Sequence, residues 1–137
     1  MYDKLIIERH LQALLRDLDN LEKYRNISKE DFKQNLDLIW ILERGIYLCI
    51  QNIFDVFSHI VSSELNKQWD SYSDIAMLLY DAQKIDKEER DLLIKMAGFR
   101  NRLSHDYLGL DVDVIIDIVS NKLDDLKAFA RIIAQYT

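Results

Sequence analysis

The stretch FKQNLDLIWILERGIYLCIQNIFDVFSHI, Phe32 to Ile60, decides the fold. Phe32, Leu36, Ile39, Ile46, Ile50, Ile53, Phe57 and Ile60 form one nearly continuous apolar stripe at helical spacing. Ser28, with Asp31 three residues on, reads as the cap that opens it. The spacing predicts one long helix over about Lys29–Ser63. At about 100° per residue, Arg44, Gln51, Asp55 and His59 fall together on the opposite face. That polar line is either a solvated face, or the second wall of a site or a dimer contact, with Arg44, Asp55 and His59 as its candidates.

The pattern continues in both directions. Leu5, Leu11, Leu14, Leu15, Leu18 and Leu21 predict a first helix over about Asp3–Tyr24, with Asn26 as its stop. Ser71 and Asp74 start a short helix over about Ser73–Ala82. Asp86 with Glu89 caps the next, which runs through Leu92, Leu93, Met96 and Phe99. Gly98 lies inside that pattern at a cost of about 1 kcal/mol against alanine, and close approach of a neighbouring helix would explain it. Gly109 breaks the chain. Asp111 or Asp113 then begins a last helix that carries Val114, Ile115, Ile118, Leu123, Leu126, Phe129, Ile132 and Ile133 inward. The 137 residues contain no proline and only three glycines, whereas strand-rich folds spend both on turns. The expected architecture is all-α: a single domain over 1–137, an antiparallel helical bundle of four long helices plus one short helix.

Composition excludes several classes. The single cysteine, Cys49, forms no intrachain disulfide, and a reducing cytoplasm is the natural compartment. Asp3, Lys4, Glu8 and Arg9 are wrong for a signal peptide, and no apolar run approaches the ~20 residues that span a bilayer. No Cys/His cluster has metal-ligand spacing, and no glycine-rich loop is present to cradle phosphates. Neither a metal nor a cofactor is expected. The net charge of −6 argues against a protein that coats nucleic acid. Charge is nevertheless uneven. Leu92 to His105 carries Lys95, Arg100 and Arg102 and no acid, while Asp106 to Asp125 carries six aspartates and one lysine. A local positive site on an acidic body suits transient contact with a phosphate. Trp40, Trp69 and the tyrosines are not expected to form a stacking array of the kind single-strand binders use, and His10 is expected at the surface.

The chemistry concentrates in Arg100-Asn101-Arg102-Leu103-Ser104-His105-Asp106-Tyr107. Arg100 is cationic at every relevant pH, and its planar fork matches two phosphate oxygens. His105 is an imidazole, whose unperturbed pKa near 6.5 suits proton transfer to and from RNA oxygens. Asn101 shares a helix face with His105 and could donate to a phosphate oxygen or orient the ring. Lys95 and Arg102 are candidate phosphate contacts. Arg100 and His105 lie about 140° apart on an ideal helix. Either the helix ends near Ser104 and the chain turns, or a twofold axis brings two motifs together.

These residues carry a resemblance. Arg100, the polar Asn101, three further residues and His105 match the signature of the HEPN superfamily. Tyr107, two residues past the histidine, extends it as in the HepT-like toxins of bacteria and archaea. The run Phe99–Tyr107 followed by Leu110-Asp111, and the stretch Ile53–Ile60, are also similar to that group. The resemblance implies a metal-independent endoribonuclease acting as a homodimer in a type VII toxin–antitoxin system, with Arg100, Asn101 and His105 catalytic. It implies an MntA-type minimal nucleotidyltransferase antitoxin that uses ATP and Mg to transfer AMP onto Tyr107. RNA is then the substrate, with neither DNA nor membrane as a partner. The alternative is a non-catalytic HEPN module that binds a nucleotidyltransferase or a nucleotide.

Overall fold

The computed structural model describes residues 1–105 and 112–137, with His105 described by its backbone alone. The described residues form seven helices: α1 (Lys4–Glu22), α2 (Lys29–Lys33), α3 (Leu36–Ser63), α4 (Tyr72–Asp81), α5 (Lys87–His105), α6 (Val112–Asn121) and α7 (Leu123–Ala134). The all-helical bundle expected from the sequence is what forms. None of the described helices is long and apolar enough to cross a membrane.

α3 is the axis, in contact with each of the other six. Its apolar residues are too many for one stripe. Ile39, Leu42, Ile46, Cys49, Ile50, Ile53, Phe54, Val56, Phe57, Ile60 and Val61 are all buried, which spreads contact around the helix. Burial pushes the Cys49 thiol well above its ordinary range, with Asp17 adding to the shift, so this cysteine acts as a packing group. α1 runs antiparallel to α3. The Asp3 amide meets His59, His10 meets Asn52, and Gly45 meets Leu21. α5 also runs antiparallel to α3, with Arg100 at Gln51 and Leu103 at the level of Tyr47.

Two expected helices are each broken in two. Asn35 leaves helical geometry (φ −130°, ψ 92°) and its side chain accepts from the Leu38 amide, capping α3 and cutting it from α2. Phe32 stays fully buried while Leu36, counted in the stripe, is 69% exposed. The last helix breaks at Lys122 (φ −121°, ψ 5°), so α6 and α7 meet α3 separately. The N-terminal leucine stripe is also corrected. Leu5 and Leu15 are exposed, and Ile7 takes the buried place beside Leu14, Leu18 and Leu21. Of the three anticipated capping pairs, Ser28–Asp31 forms the single bond from the Asp31 amide to Ser28 Oγ at 3.2 Å, and the other two form full boxes. Ser71 and Asp74 exchange bonds at the start of α4. The Asp86 amide donates to Glu89 Oε1 and the Glu89 amide to Asp86 Oδ1, each at 2.8 Å, at the start of α5.

Candidate functional site

α5 carries the site because of where its core stripe ends. Leu93, Met96 and Ala97 are buried, and Arg100 follows them at helical spacing on the same face. An apolar side chain would continue the core there. Instead, a half-buried guanidinium enters the space between α3 and α4.

Its surroundings are specific. Arg100 Nε donates to Gln51 Oε1 at 2.9 Å, and one terminal nitrogen donates to the Tyr47 hydroxyl at 3.4 Å. The other reaches Asn101 Oδ1 at 3.5 Å, the outer limit of a hydrogen bond. The guanidinium carbon lies 4.6 Å from the centre of the Tyr72 ring and 5.6 Å from that of Tyr47, both within cation–π range. Trp69 stacks on Tyr72 (5.6 Å, 27°), and Arg44 lies 5.5 Å from the Tyr47 ring. Trp69, Tyr72, Arg100, Tyr47 and Arg44 thus form one alternating ladder across three helices and the loop before α4. Residues far apart in the chain compose it, so local spacing carries no trace of it.

A polar chain runs on from Gln51. Its Nε2 donates to Asp55 Oδ1 at 2.8 Å and to the Tyr72 hydroxyl at 3.4 Å. The other Asp55 oxygen faces His10 Nδ1 at 4.0 Å, and that nitrogen bonds Asn52 Oδ1 at 2.8 Å. His10, expected at the surface, is half-buried in this chain.

The predicted polar line on α3 therefore divides. Arg44 and Asp55 belong to the surroundings of Arg100, Arg44 by the ladder and Asp55 through Gln51. His59 does not. Its Nε2 accepts the Asp3 amide at 2.8 Å and its Nδ1 lies 3.4 Å from Ser63 Oγ, so it anchors the start of α1. Lys95 and Arg102 are also set apart. They border a largely apolar cleft of about 520 Å³ with Phe99, Ile118 and Lys122, and two residues of helix turn Arg102 about 200° from Arg100. Gly98 borders the same cleft, and a Cβ there would meet nothing within 4 Å. The expected close approach occurs at Gly45 instead, where a Cβ would sit 2.9 Å from Leu21 Cδ2.

α5 remains helical through His105, so the chain does not turn before the histidine. Tyr107, Asp106 and Gly109 lie outside the described residues. Beside the motif, Trp40, Glu43, Arg44, Tyr47, Leu103 and Ser104 line an open recess of about 470 Å³, and Trp40 is 69% exposed.

Comparisons with known proteins follow the same residues. The model of the family described as Ribonuclease HepT-like matches residues 14–133. A tRNA nuclease HepT from Aphanizomenon flos-aquae (strain 2012/KM1/D3) is 30% identical over 136 residues, 98% of this chain and 91% of that protein. An mRNA nuclease HepT from Shewanella oneidensis is 31% identical over 105 residues, 77% of this chain and 76% of that one. Among solved structures, a tri-AMPylated Shewanella oneidensis HEPN toxin in complex with its MNT antitoxin superposes with a TM-score of 0.85 at 26% identity. That match covers 98% of this chain and 99% of the other. The chain belongs to the HepT-like ribonuclease family.

Proposed function

We propose that this chain is the toxin of a toxin–antitoxin pair, a metal-independent endoribonuclease that uses the RNA's own 2′-hydroxyl as nucleophile. The observation that carries the reading is the Arg100 guanidinium. It is held by uncharged partners among the described residues, five residues before the histidine that ends α5. A cation so held is available to a phosphate.

In the proposed reaction the 2′-oxygen attacks phosphorus while a base takes its proton. The phosphorus–5′-oxygen bond breaks and the leaving oxygen gains a proton. The products are a 2′,3′-cyclic phosphate and a 5′-hydroxyl. Arg100 stabilises charge on the phosphorane, Asn101 donates to a phosphate oxygen or orients the ring, and His105 is the acid/base. DNA lacks the nucleophile and stays intact. The α5 backbone is helical through His105, and on an ideal helix positions 100 and 105 lie about 140° apart. A homodimer resolves this by placing both motifs on one cleft. We assign its contact to the face around Leu36, Trp40 and Ile41, all more than half exposed, of which Trp40 lines the Leu103–Ser104 recess.

The HepT nucleases and the AMPylated toxin in complex with its antitoxin support this reading by similarity. The partner is then a minimal nucleotidyltransferase of the MntA type, using ATP and Mg. It adds AMP to Tyr107, bringing negative charge and bulk to the place the RNA phosphate must occupy. The compartment is the cytoplasm. The experiment is RNA cleavage by the purified chain and its Arg100→Ala, His105→Ala and Tyr107→Phe variants. The first two should lose cleavage. The third should keep it and escape the antitoxin. Full cleavage by His105→Ala would refute the assignment.

A further inference from the structure

We propose that Asp55 is a positioning residue for Arg100: it fixes which end of the Gln51 amide faces the guanidinium, so that a neutral oxygen and not a carboxylate holds the arginine from α3. The inference rests on the reading of Arg100 as the group that stabilises the phosphate.

The argument is one of hydrogen-bond polarity. A guanidinium only donates and a carboxylate only accepts, whereas a glutamine amide has one end of each kind. Gln51 lies between the two, with Oε1 2.9 Å from Arg100 Nε and Nε2 2.8 Å from Asp55 Oδ1. Turning the amide over would set donor against donor at Arg100 and acceptor against acceptor at Asp55, so one orientation satisfies both. The Tyr72 hydroxyl, 3.4 Å from Nε2, accepts on the same side. Asp55 sits one helical turn from Gln51, which aligns the pair on α3.

The other oxygen of Asp55 faces α1. Asn52 Nδ2 donates to the Leu48 carbonyl at 3.0 Å, so Asn52 Oδ1 is the acceptor and His10 Nδ1 the donor at 2.8 Å. That same nitrogen faces Asp55 Oδ2 at 4.0 Å.

The arrangement explains why an amide stands at position 51. A carboxylate there would hold Arg100 at least as firmly. It would also cancel the positive charge, repel an incoming phosphate and oppose Asp55 one turn away. The amide instead passes on the orienting effect of a carboxylate without passing on its charge.

The experiment measures kcat, KM and Tm of the full chain on RNA for Gln51→Glu, Asp55→Asn and the double variant. Gln51→Glu should lower kcat about a hundredfold and lower Tm. Asp55→Asn, whose amide both donates and accepts, frees Gln51 to turn and should cost kcat several-fold. In the double variant the new amide donates to the new carboxylate, which again accepts from Arg100. Tm should recover while kcat stays low. Recovery of kcat along with Tm, or a wild-type kcat in Asp55→Asn or in Gln51→Glu, would overturn the inference. Arg100→Ala separates the two readings. If it cleaves normally, the assignment of Arg100 fails. If it is inactive while Asp55→Asn and Gln51→Glu cleave at the wild-type rate, only the role of Asp55 fails.

Discussion

Arg100 occupies a place that the core stripe of α5 would otherwise give to an apolar side chain. It follows the buried Met96 and Ala97 on the same helix face, and its guanidinium lies within cation–π range of two tyrosine rings. Lysine keeps the charge there but loses the planar fork and the stack. Arg100→Lys should therefore lower kcat about a hundredfold or more while melting close to wild type. Near-normal turnover by that variant would show that charge alone suffices. The residues that hold Arg100 were only partly legible. Gln51 and Asp55 fell on the predicted polar line of α3. Tyr47 and Tyr72 gave no local signal, because they meet the guanidinium from two different helices.

At the scale of the element, the capping chemistry of Ser71–Asp74 and Asp86–Glu89 was readable because both partners lie within four residues. The breaks at Asn35 and Lys122 were not, since the apolar period runs through both and tertiary packing decides. The glycines make the same point. Gly45→Ala presses a methyl against the buried Leu21 and should destabilise by about 1–3 kcal/mol. Gly98→Ala has open space and should stabilise by up to about 1 kcal/mol, a few degrees in Tm. Thermal melts of the two variants moving in the same direction would contradict that contrast. α2 is tied to α6 by Lys29 and Lys33, 3.0 and 3.6 Å from Asp113. The hydrogen bond from Lys29, helped by both lysine charges, holds the Asp113 carboxyl below its usual range. A depressed carboxylate stabilises the fold above its unfolded pKa, about 3.9, and loses that effect as pH falls through the folded value. The gap in Tm between wild type and Asp113→Asn should thus be open at neutral pH and close in acid. A gap independent of pH would argue against the bridge.

For the whole molecule, the resemblance of the sequence and the assembled fold converge on one family, and the site depends on contacts among α3, α4 and α5 that only folding creates. The exposed face around Trp40 belongs to this scale. If the proposed homodimer forms through this face, wild type should have the mass of a dimer in light scattering and Trp40→Glu that of a monomer with lowered cleavage, whereas equal masses for the two would contradict the assignment. The central claim is that protein side chains and the RNA's own hydroxyl carry the reaction without a metal ion. It is tested most directly by cleavage of a short RNA in excess EDTA, beside the same RNA bearing one 2′-deoxy nucleotide at the cut site. The account predicts an unchanged rate on the first, with 2′,3′-cyclic phosphate ends, and none at the modified position. Cleavage abolished by EDTA, or a cut after the deoxynucleotide, would contradict it.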